Sequence, residues 1–224
     1  MKSNLTFFLI LWLIAFQKGY GQQKKSNSIF DIRLSTFPTP DFSSLKAGGT
    51  TLAEVVELNH QIDSAFKLDK SYDFEFRLWE LPMSYQVFVL RYAGGKWSAR
   101  RFAETNRVHN TRQFGEKPVN QEKLTPLWYL LNSEKILTLP PESDLKAQLS
   151  DYIIDTATLQ VSTTSREMTD GVLYVYELRT PVQYRVYHYG NPHFMLRNYP
   201  NVEELYHATM ITLLINKYRS LSTK

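Results

Sequence analysis

The sequence predicts an α+β fold in which antiparallel β-meanders pack against helices, and three observations carry that expectation. Residues 73–80 (DFEFRLWE) alternate apolar and polar side chains, and residues 85–92 (YQVFVLRY) are rich in β-branched and aromatic types. Ala93-Gly94-Gly95-Lys96 then supplies a tight turn into Trp97, which makes a three-strand meander ending near Phe102. Stretches with apolar residues at helical spacing flank the strands, and a similar strand-turn-strand pattern returns after residue 170.

The amino terminus reads as an export signal over residues 1–21. Lys2 precedes an apolar run at 5–16 (LTFFLILWLIAF), and Gly19-Tyr20-Gly21 forms a small-x-small cleavage site. The run of 12 apolar residues is short of the roughly 20 that cross a bilayer as a helix. No later stretch is long enough to span, so the cleaved chain has no transmembrane segment, and the expected location is periplasmic or extracellular. The Gly-Gln-Gln at 21–23 resembles the ends of bacterial export signals, a likeness confined to the targeting segment that implies no activity. The Asn-x-Ser/Thr pattern occurs only at Asn4, inside the signal, which also leans toward a bacterial source.

There are 0 cysteines in 224 residues, which excludes disulfide stapling, lipid attachment through a cysteine and thiol catalysis. The formal charge of +4 includes Lys2 and Lys18, and the remaining basic residues are mixed with acids. No basic stripe is present for phosphate-driven binding, so a nucleic-acid partner is not expected.

Residues 22–49 are rich in Ser, Pro and Gly without sustained period and read as an extended arm or linker. A single α+β domain is expected over 50–224, with 50–135 and 140–224 as its two candidate halves. Its first helix covers 51–66, with Leu52, Val55, Val56, Leu58, Ile62 and Phe66 at helical spacing and Glu54 and Glu57 toward the start. After the meander, residues 104–117 read as a polar loop. A helix follows over 120–133, its start delayed or kinked by Pro126. Pro140-Pro141-Glu142 opens a short helix to about Leu149, 158–164 alternates as a strand, Asp170-Gly171 marks a turn, and 172–178 with 183–189 form a hairpin. Asn201 and Glu204 have capping-box spacing ahead of a C-terminal helix to about Tyr218. Laying 77–102 on 174–199 without a gap matches Trp79-Glu80-Leu81 with Tyr176-Glu177-Leu178 and Tyr92 with Tyr189, a likeness that two related β-meander-helix halves would give and that two unrelated β-hairpins of similar composition would give as readily.

Four constellations are candidates for function. Tyr174 and Tyr176 share one face of their strand, as Tyr187 and Tyr189 do of theirs; with His188 and His193 they could form an aromatic binding platform. His188 and His193 flank a Gly-Asn-Pro turn, and Glu203 and His207 lie one helical turn apart, a weak set of metal ligands. Arg100, Arg101, Arg107, His109 and Arg112 form a basic cluster, although Arg100 and Arg101 must point to opposite faces of a strand. Glu80 and Glu177 occupy equivalent repeat positions and could act as a carboxylate pair.

No Gly-x-Ser-x-Gly elbow, zinc motif or calcium loop is present, and no cofactor is indicated. The chain therefore reads as an exported, non-enzymatic binding or envelope-associated module that uses an aromatic-rich hairpin, its ligand a glycan, a peptide or an envelope component. The alternative is a hydrolase of envelope or extracellular polymer acting through Glu80 and Glu177.

Overall fold

Six strands build one antiparallel sheet: β1 (Phe74–Leu81), β2 (Gln86–Ala93), β3 (Lys96–Val108), β4 (Thr111–Lys117), β7 (Leu173–Arg179) and β8 (Tyr184–Gly190). Their spatial order is β4-β3-β2-β1-β7-β8, and β5 (Ser150–Ile154) and β6 (Val161–Ser165) form a separate two-stranded sheet. Four α-helices accompany them among the described residues: α1 (Ala53–Ala65), α2 (Leu124–Ser133), α3 (Pro192–Asn198) and α4 (Glu203–Ser220). The α+β architecture with antiparallel sheet is thus present. The computed structural model describes residues 29–30, 32, 37–69, 71–109, 111–165 and 171–221. The chain divides into two compact units, Met1–Ile32 and Arg33–Lys224, and every element named here belongs to the second. The export signal read at 1–21 lies outside the described residues.

Both faces of the sheet are covered at its centre, where β1 is buried at every position. One face carries Trp79, Leu81, Val87, Val89, Phe102, Val175 and Val186, packed beneath Val55, Leu58 and Ile62 of α1. These three helix residues recur on one stripe of α1, which is why that helix lies flat on the sheet. The other face carries Phe74, Phe76, Leu78, Phe88, Tyr176, Tyr187 and Tyr189, all buried. The Phe74 ring lies 5.0 Å from that of Trp128 on α2, and Phe88 lies 6.2 Å from Tyr218 on α4. No helix of the described residues is long and apolar enough to cross a membrane.

The polar loop expected at 104–117 is instead the end of β3 and all of β4, joined by a tight turn at which His109 takes a φ of 46°. Its residues are polar because β4 is the outer strand, where solvent meets one edge and charged side chains guard it. Pro126 sits in the first turn of α2, where its missing N–H costs nothing. The capping box expected from Asn201 and Glu204 does not form; Val202 is the N-cap of α4 and no side chain caps it. Pro192, read as part of a loop, is the first residue of α3.

The latter part of the stretch read as an arm is packed on the sheet. Phe42 stacks on Phe74 with ring centroids 4.3 Å apart, and Leu45 is buried. Gly48 then pairs with β8 in parallel: its N–H donates to the Tyr184 carbonyl at 3.1 Å, and its carbonyl accepts from the Val186 N–H at 2.9 Å. Gly49 turns the chain away with a φ of +82°, and a Cβ at that position would stand 1.9 Å from the Val186 carbonyl oxygen. Only glycine fits both the dihedral and the approach. Gly49→Ala is expected to destabilise by about 1–3 kcal/mol through this overpacking, read as a lower midpoint in chemical denaturation.

Candidate functional site

The tyrosine platform faces inward. Tyr174 pairs with Tyr189 and Tyr176 with Tyr187 across β7 and β8, so all four rings share one side of the hairpin. That side lies under α4 and residues 136–140. The Tyr176 hydroxyl donates to the Ala208 carbonyl at 3.2 Å, Tyr187 to Ile136 at 2.8 Å and Tyr189 to Pro140 at 2.6 Å. Three backbone carbonyls outside any strand thereby gain donors, and burial pushes all three phenols above their ordinary pKa. Tyr174 remains half-buried, beside Glu80, Arg219 and Asn216. The rings of Tyr176, Tyr187 and Tyr189 are core and do not present a platform.

Glu80 and Glu177 lie on opposite faces of the sheet. Glu177 is paired with Arg77 and Glu80 with Tyr174, and the odd spacing between Arg77 and Glu80 puts the two carboxylates on different sides. Glu80 pairs with Arg219 and accepts from Gln86 at 2.5 Å. Glu177 sits at the centre of a buried network under α1: it accepts from Asn59 Nδ2 at 2.8 Å, Trp79 Nε1 at 3.2 Å, Arg179 Nη2 at 3.0 Å and the Tyr184 hydroxyl at 2.5 Å. Burial, then the nearby Glu177 charge, pushes the Tyr184 phenol up to about 12. The pair therefore cannot act on one bond, and each acid is occupied by its own cations and donors.

Arg77 is the second centre of that network. It donates to Glu75 at 2.7 Å, to Asn59 Oδ1 at 2.7 Å and to Asp63 at 2.7 Å, and Glu75 also pairs with Arg91 and Arg179. Burial acts to raise the Glu75 carboxyl, but the three arginines outweigh it and hold the group below the usual carboxylate range.

The histidines fall into separate places. His207 is buried, its Nδ1 2.8 Å from Glu134 and its Nε2 3.2 Å from Glu203; His193 is exposed on α3 and His188 is half-buried on β8. Among the described residues no group of three or more His, Asp or Glu side chains is arranged to hold a metal ion. With both ring nitrogens facing carboxylates, His207 is satisfied only as the imidazolium. Burial opposes that charge, but the bonds to Glu134 and Glu203 prevail and raise its pKa. A raised folded value means that the contribution is complete below the unfolded pKa of about 6.5 and is lost as pH rises through the folded pKa. The Tm difference between the native chain and His207→Gln is therefore expected to shrink as pH is raised from 6 toward 9 (roughly, on that reference value).

The basic cluster is dispersed into pairs: Arg100 with Glu116, Arg107 with Glu104, and Arg112 with Glu54. Arg101 turns to the other face and donates to Gln86 at 3.0 Å, as the strand alternation requires.

An open site lies on the outer edge of the same hairpin. A groove of about 670 Å³ runs along β8, with Lys46, Gly48, Gly49 and Thr50 on one wall and Pro140, Pro141, Ser143 and Asp144 on the other. Main-chain groups of a strand alternate in direction. Tyr184 and Val186 turn theirs to Gly48, and the Gly190 N–H donates to Glu142 Oε2 at 2.5 Å, so even-numbered residues of β8 point outward. The main-chain N–H and C=O of His188 point outward with them, into the groove, and have no partner among the described residues. Glu142, whose carboxyl burial pushes up in pKa, thus plugs one end of the open edge and Gly48 plugs the other.

Neither family models, curated proteins nor solved structures give a match to this chain. The fold and the groove define it on their own terms, as an α+β domain with a six-stranded sheet covered on both faces at its centre and a short stretch of β8 edge that opens into a groove.

Proposed function

We propose that this protein is an exported, non-enzymatic binding module of the periplasm or extracellular space that takes up an extended polypeptide segment along β8. The observation that carries this reading is the unpaired main chain of His188, set in a groove and bounded on both sides by groups that already occupy strand-pairing positions. The natural complement of a main-chain N–H and C=O at strand spacing is another strand, and strand addition is a common mode of peptide recognition. The aromatic hairpin has a supporting role: its buried rings fix β8 against the segment that forms the far wall of the groove. Export follows from the targeting pattern in residues 1–21 and suits a chain without cysteines.

The test compares two substitutions at one position. Proline is tolerated on an edge strand where its missing N–H faces outward, so His188→Pro removes the open donor while keeping the strand. His188→Ala keeps the donor and removes the imidazole. A pool of random linear seven-residue peptides, passed over the immobilised proteins, is expected to be retained by the native chain and His188→Ala and lost from His188→Pro. Retention by all three, or by none, would contradict the reading.

A further inference from the structure

The hairpin of β5 and β6 forms a sheet of its own and leaves its apolar side chains uncovered. Tyr152, Ile153, Ile154, Leu159 and Val161 are 61, 52, 61, 78 and 62 % exposed, and they are all the large apolar residues between Ser150 and Ser165. Strand register sorts them. Tyr152 pairs with Thr163 and Ile154 with Val161, which puts Tyr152, Ile154 and Val161 on one face, while Asp151 and Ile153 alternate to the other. Asp151 and Asp155 are the only charged residues of the segment. The Asp155 carboxylate folds back on its own turn, accepting from the Ala157 N–H and the Thr158 hydroxyl, both at 2.8 Å. The face of Tyr152, Ile154 and Val161 is therefore apolar and uncharged. Leu159 extends apolar surface into the turn, held at a φ of 56° that suits glycine or asparagine better than leucine.

A two-stranded hairpin is marginally stable in water and needs a further strand or layer to hold it. A lipid surface is a poor cover. Anionic membranes attract lysine and arginine, of which the segment has none. Asp155, held below the ordinary carboxylate range by its bonds to Thr158 and Ala157, would have to enter lipid ionised. A second copy is a good cover. A two-fold contact sets each face against its own counterpart, so no charge is buried and two hairpins of equal length stack as layers about 10 Å apart. At these exposures Tyr152, Ile154, Leu159 and Val161 offer roughly 400–500 Å² per copy, about 1,000 Å² for the pair, which is the lower limit for a specific contact. We propose that the chain self-associates into a weak two-fold dimer through the Tyr152, Ile154 and Val161 face of this hairpin. The contact does not depend on the reading of the β8 groove.

Sedimentation velocity of the purified protein over about 1–500 µM tests it, since a contact of this size gives a dissociation constant of micromolar order. A concentration-dependent passage from monomer to dimer is expected. Tyr152→Thr combined with Ile154→Thr keeps strand-forming, β-branched residues but removes apolar area. That double variant is expected to weaken the dimer about tenfold or more while the melting curve of the domain stays unchanged. Ile153→Thr, on the opposite face, is expected to leave dimerisation as it is. A chain that stays monomeric throughout overturns the proposal. So does a dimer that the double variant leaves intact, or one that Ile153→Thr weakens as much. Co-sedimentation with phosphatidylcholine vesicles that the double variant abolishes would give the face to lipid and overturn it as well.

Discussion

Arg77→Met is expected to lower stability by about 3–5 kcal/mol, because it breaks a buried charge network by removing one partner and leaves the others in place. Glu75, Asn59 and Asp63 would each lose a donor at 2.7 Å, and Glu75 is completely shielded from solvent beneath α1. Arg91 and Arg179 would still neutralise Glu75, so the loss falls chiefly on hydrogen bonding and on the space the guanidinium filled. The pH dependence has a definite sign. Glu75 titrates below its ordinary value of 4.5, so its contribution is full above that pH and drains away as pH falls through the lowered pKa. Denaturant unfolding at neutral pH and in acid reads both effects: the deficit of Arg77→Met is large at neutral pH and narrower in acid. A deficit under about 1 kcal/mol at neutral pH would mean that the network is an ordinary surface set of ion pairs.

Tyr187→Ala is expected to cost about 3–5 kcal/mol, as for any large aromatic removed from a packed core. The ring is 2 % exposed, stacks on Tyr176 at 4.8 Å and meets Tyr189 edge-on at 6.2 Å. Tyr187→Phe separates packing from hydrogen bonding. It keeps the ring but leaves the Ile136 carbonyl without its donor at 2.8 Å, a cost of about 1–3 kcal/mol. Thermal or denaturant unfolding measures both. A Tyr187→Ala chain as stable as the native one would mean that the ring is presented to a ligand after all.

Much of the fold is legible in the residues, because periodicity survives wherever one side of an element differs from the other. The β1-β2-β3 meander, its Gly94-Gly95 turn, α1 and α4 all follow from alternation or helical spacing. β1 itself shows the limit. Its Glu75 and Arg77 look like the wet side of a half-exposed strand, yet α1 covers that side and the charges are paired inside. Alternation reports that two faces differ, not what lies over them. For the same reason the tyrosines of β7 and β8 could be placed on a common face but not assigned to core or surface. β4 escaped notice because an edge strand needs no apolar face, and α3 because Asn191-Pro192 is equally a turn and a helix start.

The candidate site was less legible for a topological reason. β8 is an edge strand only because β7 pairs with β1, a partner about a hundred residues away in the chain, and no local pattern announces that pairing. Gly48-Gly49-Thr50 reads as linker until β8 stands beside it. The one available hint was the double glycine, which marks a close approach of backbone to backbone as readily as a flexible joint.

Amide hydrogen exchange along β8, read residue by residue by NMR, tests the open edge most directly. An open edge at His188 predicts slow exchange at Val186, bonded to Gly48, protection at Tyr187 and Tyr189, which face β7, and fast exchange at His188 between them, slowing when a peptide binds. A His188 amide as protected as its neighbours in the free protein would show that the edge is already closed and that no strand is taken up there.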